Sequence, residues 1–229
     1  MSQIKVELQE YMGSDKSIAE AAWTSSLEYQ AKEIKTKEDA ENLVKRLAND
    51  KHATPFESVV LRFWIRMPIA TDRQHMTHRI GSHNGMSGRY RTMPNEWLAF
   101  PDDVDEINSK VVTENFDPGY EYNQLCAAAN NWYQKTLSLL KQDQKSGLIT
   151  NTEYKRAREF YRGVLPQNNM TERVTIFNLR SFANYMKLRD KPEAQPEIRL
   201  VAQLMLEEVK KAEVCPIALD FLEKNGWNI

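Results

Sequence analysis

Residues 71–91 read TDRQHMTHRIGSHNGMSGRYR, and this stretch differs most from ordinary globular sequence. It combines four arginines with three histidines and holds very few large apolar side chains. Charged side chains are rarely buried without partners, so the stretch cannot be mostly core. Its serines and glycines offer hydroxyls and accessible backbone N–H groups, and its arginines offer forked donors. The stretch therefore predicts a phosphate cradle, with a solvated basic loop as the alternative.

Two segments outside this stretch alternate between apolar and polar residues. From Val59 to Met67 every second residue is apolar, and Pro68 follows. A period of two predicts a strand that ends near that proline. Thr171 to Phe177 alternates in the same way and is rich in β-branched and aromatic residues. We predict that both are strands of one sheet.

Three segments carry apolar residues at helical spacing. Lys37 to Asp50 follows Thr36, which with Asp39 forms a capping pair, and Gln195 to Glu213 begins near a proline. Tyr120 to Lys145 is the longest of the three. We expect one of its stripes to face the core; the members are Leu125, Ala128, Ala129, Trp132, Tyr133, Thr136, Leu137 and Leu140.

The order of these segments predicts an α+β fold in which long helices flank a mixed sheet. Between Arg91 and Pro118 the sequence is polar and carries several prolines, which indicates a long surface connection. No repeat or linker divides the chain. We therefore expect a single domain over residues 1–229.

Composition narrows the possible functions. The chain has 229 residues, 41% of them hydrophobic, and a formal net charge of −1. Because proteins that coat nucleic acid are usually basic, no nucleic-acid partner is expected. No stretch reaches the ~20 apolar residues of a membrane span, and the start lacks the apolar segment of a signal peptide, so we expect no membrane partner and a cytoplasmic protein.

The cysteines and histidines do not indicate a metal site. Cys126 and Cys215 lack C-x-x-C spacing, and we interpret both as structural. The four histidines lack the H-E-x-x-H arrangement, so no metal is predicted.

The arginine-rich stretch resembles the defining motif of flavin-dependent thymidylate synthases, which is R-H-R, seven residues and a serine. His78, Arg79 and Ser87 match that motif, and its extended form S-x-N-x-x-S-x-R is filled by Ser82, Asn84, Ser87 and Arg89. Further blocks occur in the family's order and spacing. They are His52 to Glu57, Arg73-Gln74, Arg162 to Pro166, Asn178 to Ser181, Asn184, Leu188-Arg189 and Ala194 to Ile198.

Two positions depart from the family pattern. Thr77 stands where the motif opens with arginine, and Gly85 stands where many members carry glutamate. One cation and one carboxylate are thus absent together, and the local formal charge is unchanged. Our hypothesis is that the two residues exchanged as a pair.

The resemblance implies the reductive methylation of dUMP to dTMP. Methylenetetrahydrofolate would be the carbon donor, reduced FAD the hydride source, and NADPH the reductant of the flavin. Arg189 would be the catalytic residue that stabilises charge on the uracil ring; a helix-end arginine bonded to carbonyl groups is the alternative.

The resemblance also implies which residues bind the ligands. Expected contacts to dUMP come from Gln74, Thr77, Gly85, Met86, Ser87, Gly88, Arg89, Arg162 and Arg189. Expected contacts to FAD come from His52, Thr54, Thr77, His78, Arg79, Gly85, Asn178, Leu179, Arg180 and Asn184. Arg180 and Asn184 are four residues apart, so on a helix both would face one ligand.

The resemblance further implies a homotetramer whose active sites take residues from neighbouring subunits. Two other functions remain open. A diverged enzyme of the family would modify dUMP or dCMP differently, for example by hydroxymethylation. A non-catalytic protein on the same scaffold would only bind nucleotide or RNA.

Overall fold

A computed structural model describes residues 3–25, 35–110 and 116–228. The helices are α1 (Asp15–Trp23), α2 (Lys37–Asn49), α3 (Ile69–His75), α4 (Asp102–Asn108), α5 (Pro118–Lys145), α6 (Asn151–Tyr161), α7 (Leu179–Arg189), α8 (Pro196–Lys211) and α9 (Pro216–Lys224). The strands are β1 (Lys5–Met12), β2 (Val60–Pro68), β3 (Ser82–Gly85) and β4 (Met170–Asn178). Short 3-10 turns cover Thr54–Ser58 and Arg162–Val164.

The predicted helices α2 and α8 begin at residues that favour the first turn of a helix. Thr36 accepts a hydrogen bond from the N–H of Asp39, and the Asp39 carboxylate accepts one from the N–H of Thr36. This reciprocal cap satisfies two of the backbone donors that a helix leaves unpaired at its start. Helix α8 begins with Pro196, whose ring is tolerated in the first turn. Both predictions are confirmed.

The described strands form a sheet in the order β1-β2-β4-β3. Strands β1 and β2 are antiparallel, from Lys5 opposite Arg66 to Met12 opposite Val60, with an irregularity between Leu8 and Glu10. The two predicted strands are confirmed as β2, which is shifted by one residue, and β4, which is one residue longer at each end. The predicted α+β fold class is also confirmed.

The described residues group into two compact units along the chain. The first holds described residues of 1–4, 67–72 and 85–172, and the second those of 5–66, 73–84 and 173–229. The single domain expected over residues 1–229 remains a prediction.

The core of the first unit is formed by Met93, Tyr133, Leu137 and Leu165. A polar pair crosses this interior, because buried Asn130 and Asn169 exchange two side-chain hydrogen bonds of 2.9 Å. Buried amides need such partners, since an unpaired one would lose its bonds to water.

The core of the second unit lies between the sheet and its helices. Helix α8 packs on β1, and α2 packs on both α1 and α9. The rings of Phe63 and Phe182 stack at 5.9 Å between centroids, and Trp227 meets Phe182 edge-on at 6.0 Å. Strand β2 and helix α7 are fixed to each other by this ring contact.

The expected inner stripe of α5 is partly wrong. Tyr133 and Leu137 are buried as expected, but Leu125 and Trp132 are 69% and 46% exposed. The buried face instead begins with Cys126 and continues through Asn130. Apolar spacing alone missed this face because a polar residue, Asn130, occupies one of its inner positions.

The connection from Arg91 to Pro118 is only partly a surface loop. Met93 is buried, and its N–H donates to the hydroxyl of Tyr133 at 3.2 Å. The N–H of Leu98 donates to the carbonyl of Asn168 at 2.9 Å, and α4 follows. Residues 111–115 of this connection lie outside the described residues. None of the helices described here is long and apolar enough to cross a membrane.

Candidate functional site

In the second unit, the arginine that ends α7 reaches the start of the motif. The Nε atom of Arg189 donates to Nε2 of His78 at 2.8 Å. Its Nη2 atom donates to Oγ1 of Thr77 at 3.1 Å and to the carbonyl oxygen of Gln74 at 3.4 Å. One side of the guanidinium is therefore anchored. Among the described residues, no hydrogen bond holds the remaining nitrogen, Nη1.

His78 is neutral in this arrangement, because its Nε2 atom accepts a hydrogen bond from a guanidinium that can only donate. The side chain is buried, and its ring meets Tyr185 edge-on at 4.6 Å. Burial, followed by the charge of Arg189, lowers the pKa of His78 to about 4. His78 thus remains an acceptor at neutral pH.

A chain of hydrogen bonds lies behind His78. Nδ1 of His75 meets the hydroxyl of Tyr185 at 3.0 Å, and its Nε2 meets Oγ1 of Thr175 at 2.8 Å. Nδ1 of His83 meets the same Thr175 oxygen at 3.2 Å, and its Nε2 lies 3.0 Å from the carbonyl oxygen of His78.

One assignment of hydrogens satisfies this chain with every group neutral. Tyr185 donates to His75, His75 to Thr175, Thr175 to His83, and His83 to the carbonyl of His78. Burial and the nearby positive groups lower the pKa of His75 well below its ordinary value. The chain therefore holds the backbone at His78 in place without adding charge.

Sequence reasoning missed Thr175 and Tyr185, which support the motif from β4 and α7. Both are fully buried polar residues. Thr175 shares the buried face of β4 with Thr171, Arg173 and Phe177, so the alternation of the strand did not single it out. His75 was grouped with a segment expected to avoid the core, yet it is fully buried because both of its nitrogens have partners.

In the first unit, Ser87, Gly88 and Arg89 form a tight turn after β3. The N–H groups of Tyr90 and Arg91 both donate to the carbonyl of Ser87, at 3.0 and 3.1 Å. A Cβ atom at Gly88 would lie 3.1 Å from Cδ of Arg162. The structure therefore brings Arg162 against this turn.

Arg89 has an acidic partner that sequence reasoning did not identify. Its Nε atom lies 2.6 Å from Oε1 of Glu159, and Arg158 donates to the carbonyl oxygen of Arg89. The hydrogen bond from Arg89, with the charges of Arg89, Arg156 and Arg162, lowers the pKa of Glu159. One carboxylate among several arginines leaves a local positive charge, which suits an anion such as phosphate.

Met86 and Leu179 pack into the interior. Met86 is half-buried, packs against the core of the first unit, and donates its N–H to the carbonyl of Glu172 at 2.8 Å. Leu179 is fully buried, and its N–H donates to the carbonyl of Val59 at 2.9 Å.

The other residues expected near FAD lie at the start of α7 and beside it. Asn178 is the N-cap of α7, since its Oδ1 atom accepts from the N–H of Ser181 at 2.8 Å. Arg180 and Asn184 are exposed one turn apart on this helix. The 3-10 turn that begins with Thr54 packs against α7, and its Glu57 lies 2.6 Å from Nη1 of Arg180. Glu57 is a second partner that sequence reasoning did not identify.

His52, Arg79 and Gly85 have exposed positions. His52 follows the end of α2, where its N–H donates to the carbonyl of Leu47 at 2.9 Å. Arg79 lies between α3 and β3, and Gly85 is the last residue of β3.

The sequence is similar to known proteins over most of its length. Residues 7–217 match the profile of the thymidylate synthase complementing protein family. A flavin-dependent thymidylate synthase of Rickettsia bellii is 32% identical over 213 residues, which cover 90% of this chain and 71% of that protein. One from Kosmotoga olearia is 32% identical over 220 residues and covers 94% and 88%.

A solved structure is similar over nearly the whole chain. It is the UMP/dUMP methylase PolB of Streptomyces cacaoi bound with 5-Br dUMP, with a TM-score of 0.71 and 25% identity. The similarity covers 99% of this chain and 97% of that one.

Proposed function

The chain belongs to the family of flavin-dependent thymidylate synthases, and on that premise we propose that it catalyses the reductive methylation of dUMP to dTMP. The proposed cofactor is FAD, and the proposed co-substrates are methylenetetrahydrofolate and NADPH. The observation that carries the proposal is the state of Arg189, anchored through Nε and Nη2 and open at Nη1.

Arg189 has the properties that activation of uracil requires. A guanidinium beside a ring oxygen and nitrogen stabilises negative charge that develops there as C5 attacks the carbon donor. Its contacts to His78, Thr77 and Gln74 fix the plane of the group before substrate binds, so little reorganisation is needed during the reaction. Arg189 is therefore the proposed catalytic residue.

The two cysteines are poorly suited to attack the pyrimidine ring. Both are buried, and burial raises the pKa of both thiols, that of Cys215 to about 12. Because the thiolate is the nucleophile, a raised pKa makes both cysteines less reactive at neutral pH. This supports activation of the ring by charge stabilisation and agrees with the structural role predicted for both residues.

The turn at Ser87 to Arg89, together with Arg162, would hold the phosphate of dUMP. It offers a hydroxyl, backbone N–H groups and two guanidinium groups, which together match the oxygens of a phosphate. Because Glu159 already contacts Arg89 at 2.6 Å, phosphate would have to share or replace that partner. The resemblance also assigns the positions of Gln74, Thr77, Gly85 and Met86 to contacts with dUMP.

The described side chains fit FAD by their chemistry. Arg79 and Arg180 are exposed cations suited to a diphosphate, and Thr54 and Asn184 are exposed groups suited to ribose hydroxyls or ring edges. His52, His78 and Asn178 complete the proposed flavin-binding set, with Thr77, Gly85 and Leu179 beside it. When bound, reduced FAD supplies the hydride that completes the methyl group.

A homotetramer and a cytoplasmic location are further parts of the proposal. Both rest on the resemblance to the family, in which active sites combine residues from neighbouring subunits. Exposure of Arg79, Arg180 and Asn184 in the single chain is consistent with ligands that contact more than one subunit.

The test is product analysis by mass spectrometry. Purified protein with FAD, NADPH and methylenetetrahydrofolate is incubated separately with dUMP, UMP and dCMP. We expect dUMP to gain a methyl group in place of hydrogen. Gain of a hydroxymethyl group, or modification of dCMP alone, would assign the chain to a diverged activity. No product from any nucleotide, with intact nucleotide binding, would indicate a non-catalytic protein.

A further inference from the structure

We propose that Thr77 is a positioning residue that fixes the guanidinium of Arg189 through its hydroxyl. The inference rests on the proposed function, because it assigns Arg189 the catalytic role there. Thr77 is one of the two residues that depart from the family pattern, and the family resemblance assigns its position only to ligand contacts. Its own contacts give it a different task.

The hydroxyl of Thr77 has a fixed direction. Oγ1 donates its single hydrogen to the carbonyl oxygen of Gln74 at 2.7 Å, and the Thr77 N–H donates to the same oxygen at 3.2 Å. A hydroxyl with its hydrogen committed presents only lone pairs elsewhere. Those lone pairs accept from Nη2 of Arg189 at 3.1 Å. Thr77 therefore acts as an oriented acceptor.

Three hydrogen-bond acceptors, all within residues 74–78, contact the same edge of the Arg189 guanidinium. They are the carbonyl of Gln74, the hydroxyl of Thr77 and the Nε2 atom of His78. Because none of the three is a carboxylate, the charge of Arg189 is held in position without being neutralised. A carboxylate partner would offset the charge that the developing anion on uracil requires.

An arginine at position 77 could not do this. Arginine has five donors and no acceptor, so it would contribute no bond to Arg189 and would place a second cation beside it. Threonine at the first position of the motif instead supplies one of the acceptors that hold Arg189. This gives the departure at Thr77 a physical consequence for the reacting group.

The test compares Thr77→Val with Thr77→Ser. Valine keeps the shape but removes the hydroxyl, whereas serine keeps the hydroxyl. We expect Thr77→Val to lower kcat about tenfold, because one hydrogen bond to a charged group is lost, while KM for dUMP and the Kd for FAD change less than about threefold. Thr77→Ser should restore most of kcat. The rate of flavin oxidation in a single turnover should follow kcat.

Thr24→Val is the matched control, since Thr24 is an exposed threonine whose Oγ1 donates to the carbonyl of Glu20 at 3.0 Å. It should leave kcat unchanged. A Thr77→Val enzyme with normal kcat overturns the inference, as does an equal loss in Thr77→Ser. A higher KM for dUMP with unchanged kcat would overturn it too, because Thr77 would then bind substrate directly. If the wild-type protein forms no dTMP, the proposed function fails instead.

Discussion

Arg189 shows how a side chain can be fixed by residues more than a hundred positions away. The resemblance implied ligand-binding roles for Gln74, Thr77, His78 and Arg189, and in the structure Arg189 donates hydrogen bonds to the other three. Thr175, Tyr185 and Glu159 could not be predicted in the same way. Their partners are distant in sequence, and nothing local distinguishes a threonine, tyrosine or glutamate that supports a site from one that is exposed to solvent.

Arg189→Lys tests whether the forked shape of this group matters separately from its charge. Lysine keeps the positive charge but cannot donate to three acceptors from one plane and still address the ring edge. We expect the variant to fold and bind FAD while losing turnover by ~10²-fold or more, as when a preorganised donor is removed. Flavin fluorescence titration and steady-state kinetics measure the two effects.

Two other outcomes for this variant have clear meanings. Near-normal turnover in Arg189→Lys would contradict a forked contact to uracil. A variant that fails to fold would favour the alternative of a helix-end arginine, because Arg189 is the last residue of α7 and links it to α3 through the carbonyl of Gln74.

The elements were predictable where one physical pattern dominates. Alternation predicted β2 and β4, and capping residues predicted α2. Strand β1 was missed because its alternation is interrupted by the irregularity between Leu8 and Glu10 and does not continue beyond it. Strand β3 has only four residues, too few for a period to be recognised. The inner face of α5 was misassigned because the amide pair of Asn130 and Asn169 is visible only in three dimensions.

Glycine is needed at position 81, at the end of the connection from α3 to β3, because there is no room for a side chain. Its expected role was to expose a backbone N–H group, but a Cβ atom here would lie 2.5 Å from Cε1 of Phe177. That ring is buried against His75, His83 and Tyr185. Gly81→Ala should lower the free energy of unfolding by about 1–3 kcal/mol, as overpacking of a core does.

Urea denaturation of Gly81→Ala measures this change. Gly163→Ala is its control, because no atom lies within 4 Å of a Cβ built at Gly163. Equal stability of the two variants would show that the connection moves freely away from Phe177.

At the scale of the whole molecule, the neutral histidines make stability depend on pH. His75 is fully buried between two hydroxyls, and its pKa is well below the ordinary value because of burial and nearby positive groups. Below about pH 6.5 the unfolded chain takes up a proton on this side chain, whereas the folded chain does not. The free energy of unfolding should therefore fall as pH falls below that value, with a slope of at most about 1.4 kcal/mol per pH unit from this group.

His75→Gln isolates that contribution, because glutamine can donate and accept but does not titrate. Urea denaturation at several pH values between neutrality and about pH 5 should show a shallower decline for the variant than for the wild type. Parallel curves would mean that His75 titrates normally and that the buried chain of hydrogen bonds is not formed as described.

An exposed apolar stripe on helix α5 favours self-association of the protein. Helix α5 exposes Leu125, Trp132 and Leu139, which are 69%, 46% and 52% exposed and spaced seven residues apart. That spacing keeps them on nearly one side of the helix, and large apolar side chains grouped on a surface favour a partner. Such a stripe is the face we expect one subunit of the proposed tetramer to present to another.

Trp132→Asp should therefore lower the mass in solution from about four times 26.7 kDa toward that of a smaller assembly, because a charge cannot be buried unpaired in an apolar interface. Sedimentation measures the mass. FAD affinity should fall with it, since the resemblance implies active sites shared between subunits. Leu148→Asp is the control, because Leu148 is 77% exposed but lies beyond the end of α5. A tetramer that persists in Trp132→Asp would show that the subunits meet through another face, and the exposed stripe would then have no role in assembly.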